Sequence, residues 1–354
     1  MGQHILIRTP NHLGDCIMAL PMINETREAY PGATVSILTP EPMAELFHQN
    51  PAVDHIVTIP PRHIHGMMAV VKIRELIAQG SYDIGYILPP SFGAAAGFKL
   101  AGVPERIGYI ADGRRLLLTR PLPLPVPLNS EHRSEVYFNL LRRGAGRDLT
   151  YVYPKLFLNE SDITRAREML ESFGVADGED YIAVACRAVA ESRRWGAENY
   201  AALVKIAVEE MKLKVVLIGS DDDRPTAAGV ASGHAETTVV NLAGRTSLRE
   251  TAAVLSRAAC FVGNDSGPAH LAAAVGAPVV VLSGADDPKE TTPLSRRKEL
   301  IYLEHLDCIS CVKNKCPLTG EKQMACMKGI SVAMVAERVR TVLGRGAPSE
   351  PASR

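Results

Sequence analysis

Residues Phe261–Gly284 read FVGNDSGPAHLAAAVGAPVVVLSG, and the order of residue types along them decides the fold. An apolar run reaches the polar turn Asn264-Asp265-Ser266, an alanine-rich stretch follows, and a second apolar run closes the segment. Asp265 and Ser266 are natural N-caps, Pro268 suits a first helical turn, Gly276 suits a left-handed C-cap, and Pro278 blocks continuation. The stretch therefore predicts strand, tight turn, short helix, strand. Such a turn aims unpaired backbone N–H groups and the positive end of a helix dipole at one point beyond the strand ends. That point suits an anion such as a diphosphate. His270, one helical turn from Ser266, can add a ring N–H to the same anion.

The same alternation extends in both directions. In the first half HILIR, TVSIL, HIVTI and DIGYIL read as strands, with helices near Asp15–Tyr30, Pro42–Gln49, Met67–Ala78 and Phe92–Leu100. In the second half YIAVAC, KVVLIG, VVNLAG, CFVG and PVVVLSG are strands, with helices near Ala197–Met211, Ser247–Ser256 and Pro268–Val275. Nearly continuous apolar strands separated by helices mean parallel sheets covered on both faces. At 354 residues the chain exceeds one ordinary core, so two domains of roughly 150–190 residues are expected. The boundary is placed near Tyr151–Asn159, giving an N-terminal domain over 1–155, a second over 156–344 and a disordered tail over 345–354. The proline-rich Pro121–Asn129 reads as an extended loop. The expected architecture is α/β, with two doubly wound, Rossmann-like domains facing across a cleft and ligands outside the carboxyl ends of the strands.

Composition narrows the function. Apolar residues are 46%, enough for two cores, whereas aromatics are only 5% and argue against a base-stacking nucleic-acid platform. Lys plus Arg and Asp plus Glu balance at 39 each, so no global field favours a polyanion, and no nucleic-acid partner is expected. No signal-peptide pattern and no run of ~18–20 apolar residues is present, so a cytoplasmic protein is expected. Seven cysteines are an odd count that suits free thiols. The G-x-x-x-x-G-K-[ST], G-x-G-x-x-G, H-E-x-x-H and G-x-S-x-G motifs are all missing. Phosphate binding then rests on the Asp265–His270 turn and on cations facing it.

The Leu13-Gly14-Asp15 turn, the Arg193-Arg194-Trp195 run, NLAGRTSLRE (Asn241–Glu250) and the DSGPAH turn occur in one order along the chain. On these residues the chain resembles the lipopolysaccharide heptosyltransferases, glycosyltransferase family 9, over essentially its whole length. GVPERIGY (Gly102–Tyr109) and the cysteine-rich segment near the C-terminus make it most similar to the heptosyltransferase II type. The resemblance implies a GT-B fold, an ADP-heptose donor and a lipid A–Kdo–heptose acceptor at the membrane surface. It further implies inversion at the anomeric carbon without a metal ion. Contact with the inner face of the inner membrane is then expected to be weak and peripheral, since no amphipathic anchor is visible.

The resemblance assigns roles that the bare residues leave open. Asp15 is implied as general base on the acceptor hydroxyl, although an Asp there can simply cap a helix. A free Asp, with a pKa near ~3.9, is a weak base unless a neighbouring diphosphate raises it. Arg193 stands where the family carries a phosphate-facing Lys, and Arg194 follows it. The preceding segment CRAVAES lacks the family's P-G-A-like opening, and Gly196 replaces a usual Pro. Trp195 reads as an apolar anchor or a sugar platform. Asp265 reads as a donor-sugar contact, as a cap, or as both; Ser266 and Gly267 offer N–H groups to phosphate. Thr246 borders the adenine pocket by resemblance and opens the capping box Ser247-x-x-Glu250. Asp221 reads as a ribose contact, a solvated loop residue, or, with Asp223, a D-x-D metal site. Cys308, Cys311, Cys316 and Cys326 can form a zinc site, but the second pair makes no two-residue knuckle, and no cofactor is expected. Arg62, His63, His65, Arg106, Arg114, Arg115 and Arg120 are spread over first-domain loops, where some can meet acceptor anions and most form a solvated face. Three alternatives stay open: a related family 9 transferase of another sugar, a hydrolase using Ser266 with His270, and a non-catalytic nucleotide-sugar binder.

Overall fold

The structure is a computed structural model that describes residues 2–125 and 130–344. Its contacts group the chain into two units. One is Met1–Asn159 with Lys289–Thr291; the other is Glu160–Pro288 with the residues from Thr292 onward.

The first unit holds β1 (His4–Arg8), β2 (Thr34–Pro40), β3 (His55–Ile59), β4 (Ile84–Ile87), β5 (Glu105–Tyr109) and β6 (Arg120–Leu122). These form a six-stranded sheet in the order β3-β2-β1-β4-β5-β6, with every pairing parallel. Ile7 of β1 lies between Ile37 of β2 and Tyr86 of β4. The strand order reverses between β1 and β4, so a crevice is expected at the carboxyl ends of that pair. Leu6, Leu38 and Ile87 pack there with Ile73, Ile77, Ala94 and Phe98 from the helices Gly66–Ile77 and Phe92–Leu100.

The second unit repeats the scheme. It holds β7 (Tyr181–Ala185), β8 (Lys214–Leu217), β9 (Val239–Asn241), β10 (Cys260–Asn264), β11 (Val279–Leu282) and β12 (Lys298–Ile301). The order is β12-β11-β10-β7-β8-β9, again all parallel, with the reversal between β7 and β10. Val262 of β10 sits opposite Val184 of β7 and Val280 of β11. All three are buried completely, as the unbroken apolar runs require.

Several elements depart from the sequence reading. β5 lies inside the run used only for family resemblance, and β6 and β12 are too short or too polar to stand out. The proline-rich stretch begins as β6, an edge strand, where Pro121 takes no donor from an interior ladder. Val126–Asn129 of that stretch, and the tail over 345–354, lie outside the described residues. The expected helix Asp15–Tyr30 is three short ones, Leu13–Met18, Leu20–Asn24 and Thr26–Ala29, with Pro21 at the start of the second. The stretch expected as a helix near Pro42–Gln49 is a 3-10 turn over Glu41–Leu46. Among the described residues no helix is long and apolar enough to cross a membrane.

Three of the seven basic residues assigned to loops serve the fold. Arg114 is fully buried; its guanidinium donates to the carbonyls of Tyr109 (2.8 Å), Ile87 (3.3 Å) and Pro89. Arg106 donates to Leu117 (2.8 Å) and Pro104 (3.2 Å), and Arg120 pairs with Glu105 (2.9 Å) and the Gly144 carbonyl (2.6 Å). Arg62, His65 and Arg115 are exposed. Removing the Arg114 guanidinium strands several buried carbonyls, so Arg114→Ala should lower unfolding stability by about 2–4 kcal/mol. Arg115→Ala should stay within about 0.5 kcal/mol. Urea denaturation of both variants checks the contrast.

Candidate active site

The anion-directed turn forms where β10 ends. Ser266 is the N-cap of the helix Gly267–Ala274, in extended conformation (φ −161°, ψ 176°), yet its side chain does not cap. Its hydroxyl donates back to the Asn264 carbonyl at 3.2 Å. Asp265 is not the cap either. Its carboxylate is buried and accepts from the Ser283 hydroxyl at 3.0 Å. The Ala269 and His270 N–H groups bond the Ser266 carbonyl (3.0 and 3.4 Å), and Pro268 has none to offer. The backbone donors that the sequence reading named, Ser266 and Gly267, are the first two N–H groups of this helix start. Gly276, at φ 86°, ends the segment in the left-handed region, as a glycine there allows.

Arg193 comes from the neighbouring strand. It ends a 3-10 turn, Glu191–Arg193, that follows β7, and β7 pairs directly with β10. Its guanidinium Nη2 lies 2.6 Å from Oδ1 of Asp286, a residue four positions beyond β11 that sequence reasoning passed over. Arg193 keeps 34% of its side chain exposed while Asp286 keeps 8%, so the arginine can still meet a ligand. Asp286 is pushed up to about 6 by burial, with Arg193 pulling the other way. Asp265 is pushed up to about 7, first by burial and then by the charge of Asp286; Ser283, Arg193 and Lys298 oppose the shift. The imidazole Nε2 of His270 is 4.0 Å from Asp265. Lys298 of β12 donates to the Thr292 hydroxyl at 3.3 Å, and burial lowers its pKa against the pull of Asp265. Two buried carboxylates and one cation therefore share the carboxyl ends of β7, β10 and β11, while Lys298, the first residue of β12, acts on Asp265 from the amino end of its strand. The signal missed for Asp286 was an acidic pair after an apolar strand, indistinguishable in sequence from a solvated turn.

The other second-unit positions lie at the ends of β8 and β9 or hold the loops. Asp221 is largely exposed, pairs with Arg224 at 2.8 Å and packs where a Cβ on Gly244 would touch it. Asp223 instead accepts from the Ser220 N–H (2.8 Å) and from Arg187 (2.9 Å). The outer carboxylates of the D-x-D run thus turn to different arginines. Thr246 bonds the Thr251 hydroxyl at 2.8 Å, just before the capping box of Ser247 and Glu250. Arg194 donates to the Ala188 (2.8 Å) and Val189 (3.0 Å) carbonyls and so braces the loop ahead of Arg193. Trp195 is buried, its ring N–H on the Ile330 carbonyl (2.7 Å), an anchor rather than a sugar platform. Gly196 has φ 105°, which proline, locked near −65°, cannot adopt. Cys308, Cys311, Cys316 and Cys326 line one cavity of about 60 Å³. Among the described residues no group of three or more His, Cys, Asp or Glu side chains is arranged to hold a metal ion.

In the first unit Asp15 sits in the first turn of the helix Leu13–Met18, directly beyond β1 and beside the strand-order reversal. The N-cap position itself is taken by His12, and Asp15 is the acidic residue of the first turn. Asp15 is half-buried. Its charge reaches the Tyr137 hydroxyl, which burial first and Asp15 second push upward, while Arg133 pulls it down. Tyr137 comes from the helix Arg133–Ala145, which carried no sequence signal for the site.

Paired doubly wound units with functional side chains at their strand ends are the GT-B class of glycosyltransferase. Residues 70–321 match the model of glycosyltransferase family 9 (heptosyltransferase), and the chain belongs to that family. It is 27% identical over 319 residues to lipopolysaccharide heptosyltransferase 2 of Escherichia coli, covering 84% of this chain and 88% of that one. The solved structure of Escherichia coli ADP-heptose LPS heptosyltransferase II superposes with a TM-score of 0.79 at 25% identity, over 96% of this chain and 98% of that one. A glycosyltransferase family 9 structure from Veillonella parvula, at 22% identity, shares the fold with a TM-score of 0.83, over 96% and 97% of the two chains.

The buried carboxylate of Asp265 predicts a pH signature. Folded, it keeps its proton to about 7; unfolded, it releases it near the ordinary 3.8. Between those values the folded state binds more protons, so this group costs stability progressively as pH rises from about 4 to 7 and no more beyond. Asp265→Asn removes the effect. In urea denaturation its stability relative to the unsubstituted protein should rise by about 2–4 kcal/mol between pH 4 and pH 8. An offset that does not change with pH would contradict a protonated Asp265.

Proposed function

We propose that this protein transfers heptose from ADP-L-glycero-β-D-manno-heptose to the lipopolysaccharide inner core, with inversion and without a metal ion. The observation that carries the reading is the convergence of Arg193 and the Ser266–His270 turn on the ends of adjacent strands at the β7/β10 reversal. A cation, two backbone donors and a helix N-terminus there suit a diphosphate. The family membership and the names of the relatives support heptose as the sugar and the lipopolysaccharide core as the acceptor.

In this reading Arg193, Ser266, Gly267 and His270 take the diphosphate, and Asp265 takes a sugar hydroxyl. Asp221 takes the ribose and Thr246 borders the adenine, while Arg194 keeps the Arg193 turn in place. Asp15 accepts the proton of the acceptor hydroxyl as its oxygen bonds the anomeric carbon. The bond from that carbon to the phosphate oxygen breaks, and ADP leaves with the electron pair. Charge on the departing diphosphate is met by Arg193 and the backbone donors, so no metal is called for. The acceptor is a lipid A–Kdo–heptose molecule at the membrane surface, which the protein meets peripherally from the cytoplasm. The hydrolase alternative gains nothing from the geometry, because the Ser266 hydroxyl donates to the Asn264 carbonyl.

The test is ADP release by purified protein supplied with ADP-heptose and a truncated, heptose-bearing acceptor, alongside a panel of other ADP- and UDP-sugars. Release should need both substrates, favour the heptose donor and persist in EDTA. Asp15→Ala should lower turnover at least about a thousandfold while ADP binding changes less than about threefold. Loss of activity in EDTA with recovery in Mn²⁺, or retained turnover by Asp15→Ala, would refute the mechanism.

A further inference from the structure

Asp286 has no part in the chemistry just described, yet it makes the closest ion pair in the second unit's site. Its carboxylate is buried and engages the one cation, Arg193, that the donor reading directs at the diphosphate. A carboxylate and a phosphate present the same kind of acceptor to a guanidinium, and Arg193 binds either in the same forked manner. The two cannot both use its charge fully.

We propose that Asp286 is an affinity-setting residue, a built-in counter-anion that competes with the nucleoside diphosphate for the Arg193 guanidinium. The inference rests on the reading that Arg193 faces the donor's diphosphate. It deepens that reading by naming what opposes binding. With its carboxylate charged, Asp286 offsets the charge of Arg193 and weakens both donor and product ADP. The same competition speeds ADP release, because the guanidinium has an anion to return to as the diphosphate departs. With Asp286 protonated, Arg193 is left to the phosphate alone.

The ionisable groups that bear on Asp286 set the size of the effect. Arg193 faces it from the turn after β7 and Asp265 from the end of β10; Lys298 of β12 and His270 act through Asp265. Asp286 is one of the charges that keep Asp265 protonated. Removing it lets Asp265 ionise more readily, which opposes the gain in anion affinity and keeps the net change modest. A residue that merely supported the fold would behave in the opposite way, since its loss would loosen Arg193 and weaken ADP.

The experiment is calorimetric titration of ADP into the full-length protein, Asp286→Asn, Asp286→Ser, Arg193→Ala and the Arg193→Ala/Asp286→Asn double variant, at pH 8 and pH 5.5, with melting curves for each. Asp286→Asn should bind ADP about five- to tenfold more tightly than the unsubstituted protein at pH 8, with Asp286→Ser behaving alike should the amide misfold. The advantage should shrink to about twofold or less at pH 5.5, below the value of about 6 to which Asp286 is raised, where most of its carboxyl in the unsubstituted protein carries a proton. In the Arg193→Ala background the second substitution should give no gain. Weaker or unchanged ADP binding by both well-folded Asp286 variants at pH 8, a gain that persists at pH 5.5, or a gain that survives without Arg193 would each overturn the inference. If the unsubstituted protein binds ADP and Asp286→Asn shows no gain, the donor reading stands and only the competition falls. If no form binds ADP at either pH, the donor reading falls and takes the competition with it.

Discussion

Everything in the second unit depends on β10 being held in parallel between β7 and β11. Val262 meets Val184 on one side and Val280 on the other, and all three are closed off from water. Parallel neighbours run in one direction, so their carboxyl ends and the turns beyond them emerge at the same edge. That constraint delivers Arg193, Asp265 with Ser266, and Asp286 to one place, although nearly a hundred residues of chain separate the first from the last. Burial of the strands also forces the crossover helices onto both faces, which directs the start of the Gly267–Ala274 helix toward the same edge. The first unit obeys the same rule at β1, where Asp15 follows the strand at the corresponding reversal of order.

The electrostatics at that edge follow from low solvent access. Two carboxylates that would be ordinary in water are both pushed upward by burial, and the charge of Asp286 makes Asp265 harder still to ionise. Arg193 at that edge, and Lys298 from the start of β12, offset this in part, so the two carboxylates are not left with uncompensated charge. Such a balance allows a buried polar edge to exist within a parallel sheet at tolerable cost. It also means that an incoming anion meets internal competition for the cations. A Lys at 193 would offer a point charge, whereas the planar guanidinium can reach Asp286 and still present donors outward.

Much of the architecture was legible because its signals were local and strong. Nine of the twelve strands among the described residues fall in the runs the sequence singles out, and the helix Phe92–Leu100 matches its expected bounds. The elements that escaped are those whose identity depends on neighbours. β12, reading KELI, is half polar, and it is a strand because β11 offers an open edge. Pro121 reads as a loop residue until β5 is seen to lack a neighbour on that side. The site was legible unevenly for the same reason. Motif positions such as Asp265 and Ser266 could be singled out, and Ser266 is the N-cap residue, but the Asp265 carboxylate turns to Ser283 just beyond the next strand rather than to its own helix. Arg106, Arg114 and Arg120 looked like surface charge because nothing local reveals that buried carbonyls await their guanidiniums.

By itself the sequence determined the alternation of strand and helix, the doubly wound class and the turns where chemistry could sit. Hydrophobic period and helix-end residues act over a few positions, and they can be read without knowing the partner. Only the tertiary structure decided which charges meet: that Arg193 faces Asp286, that Asp223 rather than Asp221 takes Arg187, and that the charge of Asp15 reaches Tyr137. Those pairings depend on which strands lie side by side. Strand order is settled by packing across the whole sheet, so no short stretch of sequence carries it.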